Sequence, residues 1–465
     1  MSLNDGLPTP ARYYAITVVL LGISLATLDG TIVTLALPKI TRDLQVSAAQ
    51  TIWIVNAYQI AVLAFLLPCA ALGDIVGYRR VYLSGLALYL LAVFACLVSA
   101  FIPSLTALVA MRALQGLGAA GLMSVNTALL RVIYPKKMLG RGVAINSMVV
   151  AITSVAGPTI AAAILSVASW PWLFAVDLPL GLIVFALGYR SLPSNPSGNV
   201  KAALSWIDVA LNALMFALIF LGVDSLGAHS ETSGGMSAAS SITLLLLGVV
   251  VGVVYLRRQT RLPLPVFPVD LLRIPVFALS MCASITAFAA QTLSYIALPF
   301  LLLDAYGRTP LQAGALITVW PLTIIVVAPV VGRLIGRIPD GTLGGIGLGV
   351  MSVGLALLAL LPEQPVDADI VWRLIFCGIG FGLFQSPNNH TIVTSAPLHR
   401  SGGASGMLGT ARLTGQALGA VLVAFIFSVA DPHNGHGPTI ALALAAGLAA
   451  VASVFSTLRL RAVSR

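Results

Sequence analysis

The stretch Leu28–Pro38, LDGTIVTLALP, sets one carboxylate, Asp29, inside an apolar run that opens at Tyr14. Its last three residues, Ala36-Leu37-Pro38, recur as Ala297-Leu298-Pro299, 261 positions further on. The same offset lays Pro68 over Pro329, Arg112 over Arg373 and Gly121-Leu122 over Gly382-Leu383. A shared tripeptide means little in a chain rich in Ala, Leu and Gly. An arginine matched within two apolar runs is harder to dismiss, and it points to an internal duplication.

Composition says what surrounds those runs. Of 465 residues, 58% are hydrophobic and only 9% charged, with a mean hydropathy of +1.00. Soluble domains carry about 25% charged residues, so most of this surface faces lipid. A bilayer core about 30 Å thick takes roughly 20 apolar residues per helix. Fourteen such runs are expected, at 14–37, 50–72, 81–101, 104–127, 142–167, 170–190, 206–226, 240–257, 276–303, 310–332, 341–361, 370–393, 402–429 and 437–458. The first has no small-residue cleavage site behind it and reads as a retained helix rather than a signal peptide.

The net charge of +10 is a topology signal rather than a nucleic-acid footprint. With the fourteen runs alternating in direction, 19 of the 25 Lys and Arg residues fall on one side and three on the other, Lys39, Arg42 and Arg308. The positive-inside rule makes the first side cytoplasmic, with both termini inside. Cys69, Cys96, Cys282 and Cys377 lie within runs at no paired or metal-type spacing and read as packing residues. The five histidines do not cluster, so neither a metal nor a cofactor is expected.

The offset also divides the chain. Two six-helix halves, 1–190 and 275–465, leave room between them for a linker and two further helices at 191–274, the linker being the polar stretch SLPSNPSGN. Two parallel halves related by an axis along the membrane normal suit rocking about a central site.

Several motifs carry a family resemblance. ALGDIVGYRR after the second run is similar to the loop pattern G-x-L-a-D-r-x-G-r-k of the major facilitator superfamily, matched at Asp74, Gly77, Arg79 and Arg80. RALQGLGAAG resembles R-x-x-Q-G-x-g-a-A of the fourth helix, with Arg112 and Gln115 on one face. AITSVAGPTIAAA resembles the antiporter motif g-x-x-x-G-P-x-x-G-G at Gly157 and Pro158, although Thr153, Ala161 and Ala162 replace its other glycines. LDGTIVTLALP, SWPWLFAVDLPLG and the region from Phe381 to Gly419 resemble the fourteen-span drug:proton antiporter branch. The resemblance implies an all-α integral membrane protein of the major facilitator fold, with two six-helix halves and two extra central helices. It also implies proton-driven efflux of drugs or metabolites.

Intramembrane polar residues supply the candidate site. Asp29 lies nine residues in from Pro38 and Arg112 eight in from Ser104, which places both about 12 to 14 Å deep, able to face one another. Asp29 is the expected proton-coupling carboxylate, with Arg112 modulating it and Asp177 next in line; a static pair that fixes packing is the other reading. Asn56, Tyr58, Gln59, Gln115, Gln291, Gln385, Asn388, Asn389 and Arg412 are candidates to line a substrate cavity, or else to bond neighbouring helices. Asp74, Gly77, Arg79 and Arg80 are expected to gate, and Gly157-Pro158 to bend the fifth helix.

No catalytic constellation is present, so an enzyme is not expected, and the short loops leave no room for a signalling domain. The expected partners are a small-molecule substrate, protons and the lipid bilayer, for a monomer in a bacterial inner membrane. An importer or uniporter of the same fold is the rival reading.

Overall fold

A computed structural model describes residues 6–46, 48–51, 53–98, 104–194, 205–227, 238–262, 265–362, 364–430 and 435–463. Most of the linker SLPSNPSGN and the loop 228–237 lie outside them. The described chain is helical, its only β feature an isolated bridge between Ile335 and Ile338. The long helices are α1 (Ala11–Ile32), α2 (Trp53–Val76), α3 (Tyr78–Val98), α4 (Leu105–Ile133), α5 (Leu139–Val167), α6 (Asp177–Ser191) and α7 (Trp206–Gly227). They continue as α8 (Ala238–Gln259), α9 (Pro275–Phe300), α10 (Pro310–Leu334), α11 (Asp340–Ala359), α12 (Asp367–Ser395), α13 (Ser401–Val429) and α14 (His436–Val463).

Among the described residues, eleven helices are long and apolar enough to cross a membrane, against fourteen expected. The apolar part of α7, Trp206–Gly222, is shorter. α5 and α12, at 29 residues each, are as long as any but fall outside the eleven. In α12 the cause is visible: Asp367, Asp369 and Arg373 at one end and Gln385, Asn388, Asn389 and His390 at the other dilute its apolar run.

Buried apolar side chains gather in three clusters. One draws on residues 15–192 of α1 to α6, a second on 283–452 of α9 to α14. The third joins α2, α7, α8, α9 and α13. The first two cores define an N-terminal and a C-terminal bundle.

Close helix approach explains the small residues of RALQGLGAAG. The backbone of Gly121 meets that of Gly85, and a β-carbon at Gly118 would sit 2.5 Å from the Tyr89 nitrogen. Without a hydrophobic drive between helices in lipid, such backbone contact is what holds them together. Gly118→Val is therefore expected to separate α3 from α4 at a cost of about 3 kcal/mol or more. Thermal unfolding of the detergent-solubilised variant reads this; a melting temperature equal to wild type would show that the α3–α4 contact does not limit stability.

Candidate functional site

The N-terminal bundle closes around a charged cluster. Arg112 Nη1 lies 2.9 and 2.8 Å from Asp29 Oδ1 and Oδ2 and 2.7 Å from Gln115 Oε1, while its Nε donates to the Ile54 carbonyl at 3.1 Å. Both partners of the ion pair are 1% exposed. The guanidinium also lies 4.5 Å from the Tyr58 ring centre and 5.8 Å from that of Phe174. α1 thus meets α4 through this pair, which is sealed from water.

Two tyrosines fix the turn of α1 that carries Asp29. Tyr58 donates to the Ala26 carbonyl at 3.0 Å. Tyr89 lies 3.5 Å from the Leu25 carbonyl and 2.9 Å from Asp177 Oδ2, so it ties α1 to the start of α6. Asp177 is 2% exposed. Two carboxylates and one guanidinium therefore share one buried region. Tyr89 was not read as a site residue from sequence, yet a signal existed. Tyr82 and Tyr89 are seven apart on α3 and reach the carbonyls of Val18 and Leu25, also seven apart.

The two bundles meet at the end of the molecule that carries most of the arginines. Asp74 Oδ1 accepts from the Gly402 N–H at 2.7 Å and from the Tyr78 hydroxyl at 2.8 Å; Oδ2 accepts from the Gly403 N–H at 2.9 Å. A carboxylate at the N-terminus of α13 is favoured by the free N–H groups and the helix dipole there. Arg400 stands 3.8 Å from Asp74 and grips Asp270 with Nε and Nη2 at 2.9 and 2.7 Å. Arg131 donates to the Ala396 carbonyl and to Ser401, and Ser405 accepts from the Thr127 N–H.

The equivalent contact on the other side is apolar. Ile335 stands 261 positions after Asp74, and it presses on Gly140, which stands 261 before Ser401. Gly332 and Ala144 meet next to it. The bundles are therefore held at this end by a polar catch on one side and an apolar seam on the other.

The other expected site residues have these surroundings. Arg79, read as a gate, donates to the Tyr189 carbonyl within its own bundle rather than across to the other. Its guanidinium also lies 5.8 Å from the Tyr189 ring centre. Arg80 is exposed and bonds the Val76 carbonyl, and Gly77 supplies the turn with φ +103°. Asn388, read as a cavity residue, is buried with both amide atoms used: Nδ2 donates to Ser284 at 2.7 Å and Oδ1 accepts from Arg459 at 2.8 Å. Gln115 and Tyr58 serve Arg112 instead of an open cavity.

Asn56 and Gln291 are buried, and Gln291 bonds Tyr295. Gln59 is exposed, and Gln385, Asn389 and Arg412 are half-buried. Gly157 is buried within α5, which runs unbroken through the Gly157-Pro158 pair; the Pro158 side chain lies outside the described residues.

Two helical bundles latched at one end, around intramembrane charge, define a solute carrier of the secondary-transporter class. The family model of the Major Facilitator Superfamily matches residues 19–420, and the chain belongs to that family, whose members are transporters and not enzymes. It is 50% identical to the "Uncharacterized transporter YebQ" of Escherichia coli (strain K12), over 98% of this chain and 97% of that one. It is 28% identical to the "Riboflavin transporter RibZ" of Clostridioides difficile (strain 630), over 91% and 90%. It is 29% identical to the "Multidrug resistance protein Stp" of Mycobacterium tuberculosis (strain CDC 1551 / Oshkosh), over 89% and 76%. Among solved structures, the human organic anion transporter MFSD10 (TETRAN) matches in fold with a TM-score of 0.69 at 16% identity, covering 97% of this chain and all of that one.

Proposed function

We propose that the protein is a proton-driven exporter of small molecules that works by alternating access. The observation that carries this reading is the buried cluster in which Arg112 faces Asp29 with Asp177 close by. Two carboxylates against one guanidinium leave one carboxyl group without a counter-charge, and a proton is the smallest ion that neutralises it. Movement of α4 against α1 would alter how strongly Arg112 holds Asp29, and with it the affinity for that proton. The relationship to Stp, named for multidrug resistance, supports export as the direction.

The arrangement proposed is fourteen spans in a bacterial inner membrane, with halves at 1–190 and 275–465 flanking residues 191–274, both termini cytoplasmic and the protein a monomer. On that orientation the latched, arginine-rich end is cytoplasmic and the conformation faces outward. Gly157-Pro158 in α5 serves as a flexing point at the seam with α10, and Asp74 with Gly77 forms the catch.

Everted membrane vesicles energised by respiration provide the test. Uptake of a fluorescent drug panel is expected to exceed that of vesicles lacking the protein several-fold and to collapse on adding a protonophore. Downhill movement that ignores the protonophore would identify a uniporter instead. Uptake in right-side-out vesicles that an imposed inward proton gradient accelerates would identify an importer.

A further inference from the structure

Arg412 and Gln416 stand one turn apart on α13, both half-buried, and neither makes a hydrogen bond, ion pair or ring contact among the described residues. Their surroundings locate the face they occupy. At the latched end Ser401 and Ser405 of α13 meet Arg131 and Thr127 of α4. Arg412 follows Ser405 by seven residues, two helical turns, which puts it on nearly the same face about 10 Å further from the latch. The flanks of that face are occupied, Gly409 packing on Leu66 of α2 and Gly415 on Ile285 and Phe288 of α9. Arg412 therefore stands between the side of α13 that packs on the N-terminal bundle, through Gly409 and Leu413, and the side that packs on α9.

The other arginines well within the long helices have partners. Arg112 has Asp29 and Gln115; Arg459 has Ser280, Asn388 and Ser456; Arg373 has Asp369. A guanidinium cannot give up its charge, so leaving one unpaired inside a membrane protein is costly unless water or a ligand meets it. The carboxylates of the N-terminal bundle do not meet it, because Asp29 and Asp177 are sealed at 1% and 2% exposure and engaged by Arg112 and Tyr89. The charge that Arg412 presents is positive.

We infer that Arg412, assisted by Gln416, binds an anionic group of the transported solute, a carboxylate, sulfonate or phosphate. The planar fork of the guanidinium suits two parallel hydrogen bonds to such a group, and Gln416 adds an amide donor one turn away. The inference rests on the reading of the protein as a small-molecule transporter but not on proton coupling.

The test is exchange of matched dyes, fluorescein and its methyl ester, in proteoliposomes of phosphatidylcholine alone, so that no anionic lipid headgroup competes and no proton gradient drives the reaction. The wild type is expected to exchange the acid in preference to the ester. Arg412→Gln is expected to lower acid exchange about tenfold while sparing the ester, as for loss of a charge-assisted hydrogen bond. Arg412→Lys should retain part of the preference. Absence of acid preference in the wild type, including failure to move the acid, overturns the inference. So does an equal loss for both dyes in Arg412→Gln, which would mark a packing or gating arginine. Adding a protonophore to energised vesicles separates the two readings. Acid preference that depends on Arg412, with efflux blind to the protonophore, sinks proton coupling alone; protonophore-sensitive efflux with the preference unchanged in Arg412→Gln sinks this inference alone.

Discussion

Asp29→Asn is expected to abolish uphill export and to leave exchange of substrate across the membrane intact. Asparagine keeps the shape of aspartate and still offers an oxygen to Arg112, yet it neither titrates nor carries charge. The substitution also leaves Arg112 buried with a neutral partner, which costs roughly 3 to 5 kcal/mol when an ion pair is broken in this way. Asp177 is the other carboxylate of the cluster and can take over part of that charge balance, so folding is expected to survive. The measurement is the steady-state substrate gradient in energised everted vesicles, which should fall to unity, beside counterflow in unenergised ones, which should persist. A variant that still builds a protonophore-sensitive gradient would transfer the coupling role to Asp177. Loss of both activities with folded protein present would reduce the pair to a packing element.

The second large effect is expected at the catch. Asp74→Asn replaces a carboxylate that accepts two backbone N–H groups with an amide whose nitrogen can only donate, so one of Gly402 and Gly403 loses its bond to residue 74. Hydrogen bonds to a charged group are worth about 1.5 to 3 kcal/mol, which shifts the balance between latched and unlatched states roughly ten- to hundredfold. Gly402→Val should act more strongly by sterics, because a β-carbon there would sit 2.6 Å from the Ala70 carbonyl and from Asp74 Oδ1. Single cysteines placed on the Ser405 face of α13 in a cysteine-free background, labelled from the arginine-rich side, read the shift as faster modification. Unchanged labelling in both variants would mean that the apolar seam alone holds the bundles closed.

The pairing of Asp29 with Arg112 was legible because residue count along a helix converts into distance along its axis, and the two counts agree. The partnership of Tyr89 with Asp177 was not, since it depends on how α3 and α6 are rotated about their own axes. Asn388 shows the same limit: its position on α12 was clear, but which neighbour it faced was set by Arg459, 71 residues later. The catch was half legible. Asp74 stood out within ALGDIVGYRR, whereas the donors it meets are backbone N–H groups, which every residue but proline carries. Arg400 and Asp270 belong to short helical segments 130 residues apart and leave no local pattern. Arg79 was expected to gate together with Asp74, yet its side chain turns to Tyr189 of its own bundle.

The pairing of a polar catch with the Ile335–Gly140 seam gives the opening motion a mixed thermodynamic character. Water can replace the N–H groups around Asp74 one at a time, so that side loosens through hydrated intermediates at small enthalpy differences. It cannot do so for Ile335, Gly332 and Ala144, whose separation exposes apolar surface and carries a positive heat-capacity change. The equilibrium between the closed and open ends should therefore bend with temperature rather than follow a straight van't Hoff line. Sulfate should favour closure through the seam. Isoleucine at that one position makes the cycle sensitive to cold in a way that a second aspartate would not.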